Sequence, residues 1–111
     1  MLKRANRIVR ADDFRTTVRK GRRVGTPHAL LYVASTDASD PTRIGFIVSK
    51  TVGNAVTRNL VTRRLRSIGH DVVLAQPTST DVVIRALPGA PRVSWATLQS
   101  EILAGLERSA G

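Results

Sequence analysis

Cysteine is absent from the 111 residues. That excludes disulfides and thiolate-held metals, and it suits a reducing compartment such as the cytoplasm, which is the expected location. Long hydrophobic runs are missing too. Runs such as Ala29 to Ala34 and Val82-Val83-Ile84 fall far short of the ~20 apolar residues of a membrane helix, so no membrane partner is expected. Residues 1–10 are basic but lack the apolar stretch of a signal peptide. Aromatic residues make up only 4%, and His28 and His70 are the only histidines.

Acidic residues are the most telling shortage. Asp and Glu number 8 against 18 Lys and Arg, and none occurs between Pro41 and His70. A self-contained metal-dependent nuclease needs converging carboxylates to hold its ions. The acids here are scattered, so no catalytic residue and no protein-held metal are expected. His28 reads as a loop residue after Pro27, and His70 as the end of a helix, where a positive or dipolar group is favoured.

What is abundant is arginine. The formal charge is +10 and the isoelectric point about 11.7. Such a balance is the electrostatic footprint of nucleic-acid binding. The charge is one-sided: residues 1–66 hold 15 basic and 4 acidic side chains, residues 67–111 hold 3 and 4. Clustered like charges destabilise a free protein and favour a polyanionic partner. Arginine outnumbers lysine 15 to 3, which suits bidentate phosphate contacts and stacking on bases.

The length fits one domain, residues 1–111, with residues 1–10 as a basic N-terminal arm. Asp12 or Asp13 is expected to cap a helix to about Lys20, with Gly21 ending it. Phe14 and Val18 share a face of that helix. Ala29–Ala34 and Arg43–Ser49 read as two strands, paired as a hairpin across the turn from Thr36 to Thr42. A further strand is possible near Arg22 to Thr26. After the loop from Lys50 to Ala55, a helix should run to Gly69 or beyond, with Val61, Leu65 and Ile68 on its inner face. Asp81–Ala86 reads as a strand. Ser94 is a plausible cap for a last helix, on which Trp95, Leu98, Ile102 and Leu106 form an apolar stripe. Trp95 is therefore expected in the core. The order is α-β-β-(β)-α-β-α, an α+β fold in which helices cover one sheet as a two-layer α–β sandwich.

The segment from Gly53 to Arg66 is the most informative. At 100° per residue Asn59, Arg63 and Arg66 fall together, opposite Val61, Leu65 and Ile68. Arg58 and Thr62 flank that stripe, and Arg64 lies nearer the apolar edge. No acid stands at i±4 from Arg58, Arg63 or Arg66, so intrahelical ion pairs do not account for the face. It fits a polyanion. Lys50, Gly53 and Asn54, just before the helix, would set a helix N-terminus beside the same anion.

These residues carry a resemblance. The run Ser49-Lys50-Thr51-Val52-Gly53-Asn54-Ala55-Val56-Thr57-Arg58-Asn59, followed by Arg63 and Arg66, resembles the signature of the bacterial ribonuclease P protein subunit. Asp13-Phe14, Gly21, Leu31-Tyr32 and Arg43-Ile44-Gly45 extend the likeness over most of the chain. Thr51, Leu60, Thr62 and Val18 depart from the family's usual residues.

The resemblance implies a fold like the second domain of ribosomal protein S5, with a left-handed βαβ crossover. It implies an RNA-binding subunit that assists a catalytic RNA in removing the 5′ leader of precursor tRNA. The RNA and its Mg2+ ions would perform the hydrolysis, with one protein per catalytic RNA. Lys50, Asn54, Arg58, Asn59, Arg63, Arg64 and Arg66 would face the catalytic RNA. Phe14, Val18 and Tyr32 would line a cleft for the single-stranded leader, where stacking on aromatics tolerates any base. Composition alone leaves a ribosomal protein, an assembly factor or a DNA-binding module open. No helix-turn-helix pairing or dimer seam is evident in the sequence.

Overall fold

The computed structural model describes residues 2–110. Helix α1 spans Ala11–Lys20, strands β1, β2 and β3 span Arg22–Gly25, Ala29–Ser35 and Arg43–Ile47, helix α2 spans Ala55–Ala75, strand β4 spans Thr80–Ala86 and helix α3 spans Trp95–Ala110. The strand considered near Arg22 to Thr26 is thus present as β1. The sheet order is β1-β2-β4-β3, with β3 and β4 parallel and the other pairs antiparallel.

The expected hairpin between β2 and β3 does not form. β4 lies between them, and the true hairpin is β1–β2. The reason is visible in β4, where Val82, Val83 and Ile84 are all buried. A strand apolar on both faces needs neighbours on both sides and helices over it, so it takes the centre. β3 is displaced outward and reaches β4 through α2, the expected βαβ crossover.

Alternation along the strands sorts the core in two. Leu31, Ile44, Val82 and Ile84 pack beneath Val61, Leu65, Ile68 and Val72 of α2 and Leu98 and Ile102 of α3. This is the two-layer sandwich. Tyr32 and Val83 point to the opposite face, where Phe14 and Val18 of α1 pack on them with Ile8, Leu30 and Ile47. α1 therefore crosses the far face of the sheet and covers part of it.

Several local expectations change. Residues 2–8 are not a free arm: Leu2 and Ile8 are buried, and the Ile8 N–H donates to the Ile44 carbonyl at 3.0 Å. The segment covers the outer edge of β3, an edge that would otherwise offer unpaired backbone groups. Asp12 and Asp13 lie in the first turn of α1 and do not cap it; the cap position is Arg10, without a side-chain bond. α2 continues to Ala75, so His70 lies inside it. Ser94 does cap α3, its hydroxyl accepting from the Thr97 N–H at 3.1 Å.

Leu65 is fully buried between α2 and the sheet. Leu65→Ala should lower stability by about 2–5 kcal/mol, read from urea denaturation. A cost below ~1 kcal/mol would contradict this packing.

Candidate nucleic-acid interface

Two surfaces carry the expected site residues. The first begins at the loop before α2. One 3-10 turn, Lys50–Val52, tucks Val52 into the core and leaves Lys50 exposed. Gly53 follows with φ 157°, and a Cβ there would lie 2.8 Å from Thr57 Cγ2. Only glycine fits. Asn54 then caps α2, its Oδ1 accepting from the Thr57 N–H at 2.9 Å. The first turn of α2 contains no acid, so its N–H groups present an uncompensated positive end.

Along α2, Asn59, Arg63 and Arg66 are exposed on one face, as their spacing requires. Among the described residues, no carboxylate lies within ion-pairing distance of Lys50, Arg58, Arg63 or Arg66. The carboxylates that do meet a basic group include Asp12 with Arg15, Asp13 and Asp81 with Arg43, and Glu101 with the His28 ring. Arg58 is half-buried, and its enclosed Nε has no hydrogen-bond acceptor among the described residues. Arg64 differs from the rest of the set. It turns to the protein and donates to the Val93 carbonyl at 3.0 Å, tying α2 to the entry of α3.

The second surface is the cleft beside α1. Phe14, Val18 and Ile47 form its apolar wall, Arg15 and Arg19 stand on its rim with Asp12, which pairs with Arg15, and its volume is about 590 Å³. Tyr32 does not line it. The residue is only 9% exposed and packs with Phe14 and Val18 beneath the cleft. Phe14 rests on Gly45, where a Cβ would come within 2.5 Å of its ring. Arg23 and Arg85 are exposed on this same sheet face, Arg23 paired with Tyr32 and Arg85 with Leu30 and Ile47.

Arg43 fixes α1 in place. Its Nε and Nη2 donate to the two carboxylate oxygens of Asp81 at 3.0 and 2.7 Å, and Nη1 reaches Asp13 at 3.2 Å. Hydrogen bonding to Asp81, then the charges of both carboxylates, hold this guanidinium above the usual arginine range against the cost of burial. Sequence reading did not single out Arg43, Asp81, Arg15, Arg19 or Arg85 as site residues. Alternation along β4 was the available signal for Arg85, since it shares a face with Val83.

Comparison with known proteins decides the family. The ribonuclease P family's sequence model matches residues 2–110. The chain belongs to the ribonuclease P protein family. It is 46% identical to the ribonuclease P protein component of Clavibacter michiganensis over 98% of this chain and 96% of that one. For the Pseudarthrobacter chlorophenolicus component the identity is 49%, over 96% and 79%. The Staphylococcus aureus ribonuclease P protein superposes with a TM-score of 0.82 at 27% identity, covering 96% of each chain. The Thermotoga maritima protein has the same fold, with a TM-score of 0.80 at 23% identity, over 92% and 96%. This ribonuclease P protein is a subunit of the holoenzyme that processes the 5′ ends of tRNAs.

Arg43→Ala should cost about 2–4 kcal/mol, because Asp81, 6% exposed, would lose its cation. Faster amide exchange in α1 should accompany the loss. Stability within ~0.5 kcal/mol of wild type would show that the clamp is dispensable.

Proposed function

We propose that this ribonuclease P protein presents two RNA-binding surfaces on opposite faces of one sheet. The loop at Lys50 and the outer face of α2, with Asn54, Arg58, Asn59, Arg63 and Arg66, bind the catalytic RNA, one protein to one RNA. The cleft of Phe14, Val18, Arg15 and Arg19 takes the single-stranded leader of precursor tRNA. Tyr32 supports this cleft from below, and Arg64 supports the first surface by holding α3. Both RNAs are met in the cytoplasm.

The observation that carries the proposal is the exposed arginine face of α2, whose guanidiniums form no ion pair among the described residues. Clustered guanidiniums repel one another until an anion lies among them. Phosphates do so with release of counterions, which makes affinity fall with salt. Magnesium belongs to the RNA on this reading. Among the described residues no three His, Asp or Glu side chains come together, and a hard divalent ion favours several oxygen ligands. The protein's part is to hold the two RNAs in register while the RNA-bound ions do the chemistry.

If about five phosphates are engaged, affinity for the catalytic RNA should fall roughly a hundredfold between about 50 and 200 mM salt. Arg63→Ala and Arg58→Ala should each weaken binding and reduce the log–log salt slope by about 1. Unchanged slopes in filter binding would reject this face.

For the cleft, Phe14→Leu keeps apolar bulk but removes the aromatic plane. It should weaken holoenzyme binding of precursor tRNA by about tenfold, within the range of one lost base stack, and leave mature tRNA unaffected. Equal losses for both would remove the leader from this site.

A further inference from the structure

A groove of about 510 Å³ runs between α2 and the start of α3. One wall is Arg63, Arg66, Ser67 and His70, at successive turns of α2, and the other is Trp95 and Gln99, one turn apart on α3. Trp95 was expected in the core and is not there. It is 36% exposed and opens onto this groove, while Leu98 and Ile102 behind it are fully buried.

The position explains the exposure. Trp95 is the first residue of α3. Helical side chains lean toward the N-terminus, so this ring extends past the end of the apolar stripe. A large aromatic surface is thereby left open beside two arginines that form no ion pair among the described residues. Asp71, at the same groove, accepts a hydrogen bond from Gln99 Nε2 at 2.7 Å. Its charge repels a phosphate and so favours the arginine side of the groove for one.

We infer that this groove is a nucleotide site for an unpaired residue of the catalytic RNA, its base stacked on the Trp95 indole and its phosphate held by Arg63 and Arg66. The inference rests on the reading of α2 as the face for that RNA. It adds what phosphate contacts alone do not supply. Duplex RNA hides its base faces, whereas an unstacked base offers one, and stacking on an aromatic ring is how proteins take hold of it. An aromatic plane with adjoining guanidiniums in an open groove matches that chemistry. The site would set where along the RNA the α2 face docks, since phosphates are alike and an extruded base is not.

Trp95 is the only tryptophan of the chain, so its emission reports on the groove directly. Titrating the full chain with its ribonuclease P RNA should quench that emission strongly, in step with binding. Full emission at saturating RNA would overturn the proposal. Trp95→Ala should weaken binding about 5- to 150-fold, the equivalent of one base stack. Trp95→Phe should recover most of the loss, while Trp95→Leu, which keeps apolar cover without an aromatic plane, should not. Thermal melts of the three variants separate a folding defect from a binding defect. Wild-type affinity in all three, or equal losses with Phe and Leu, would defeat the stacking role. Arg58 lies outside the groove and tells the two readings apart. If Arg58→Ala weakens binding while the Trp95 variants do not, only the nucleotide site falls. If Arg58→Ala has no effect on affinity or salt slope, the α2 reading falls with it.

Discussion

The contact between Arg43 and the carboxylates of Asp81 and Asp13 joins three elements that no local interaction would hold together. Arg43 opens β3 and stands beside Asp81 in the parallel register. Their bidentate pairing fixes the β3–β4 alignment across the long α2 crossover. The third branch reaches Asp13 in the first turn of α1 and sets where that helix crosses the sheet. Phe14, the next residue, is thereby placed over Gly45. Geometry favours the pairing: a planar fork meets a carboxylate with two parallel hydrogen bonds. Removing the cation would leave Asp81 enclosed and charged, which costs more than the pair itself contributes.

This clamp also shapes the charge of the surface. The chain has 8 acids, and Asp13 and Asp81 are both committed to Arg43, while Asp12 pairs with Arg15 and Glu101 with His28. Asp71 is held by Gln99. Four of the eight acids, Asp12, Asp13, Asp81 and Glu101, are thus engaged away from the α2 arginines. The free protein accepts the resulting self-repulsion, and any polyanion that binds only the folded form will stabilise it by mass action.

The sequence made α2 legible because a helix is local. Val61, Leu65 and Ile68 at i, i+4 and i+7 name the inner face, and Asn59, Arg63 and Arg66 must then point out. Strand partnership is not local. Nothing within Ala29–Ser35 or Arg43–Ile47 says that β4 will come between them; that follows from the unbroken apolar run in β4, which claims the centre of the sheet. Docked ends were hidden in the same way. Leu2 and Ile8 are two apolar residues in a basic stretch, and only the open edge of β3 gives them a place. Trp95 shows the limit of a periodicity argument, since a stripe locates a helix face but not where the core beneath it stops. Tyr32 and Arg64 show a related limit. Both carry the right chemistry for RNA, and the fold turns both inward.

The one-sided charge along the chain corresponds to a division of work in space. Residues up to Arg66 supply α1, the exposed arginines of α2 and the loop between Ser49 and Asn54. The rest of the chain supplies β4, an interior strand, and α3, whose Leu98 and Ile102 close the main core. The nearly neutral half therefore holds the basic half in shape. Because α2 and α1 lie on opposite faces of one sheet four strands wide, the two surfaces proposed for RNA face away from each other. A strand pair parallel through a helical crossover, rather than a hairpin, makes this possible: the crossover lifts α2 onto one face while the clamp at Arg43 holds α1 on the other.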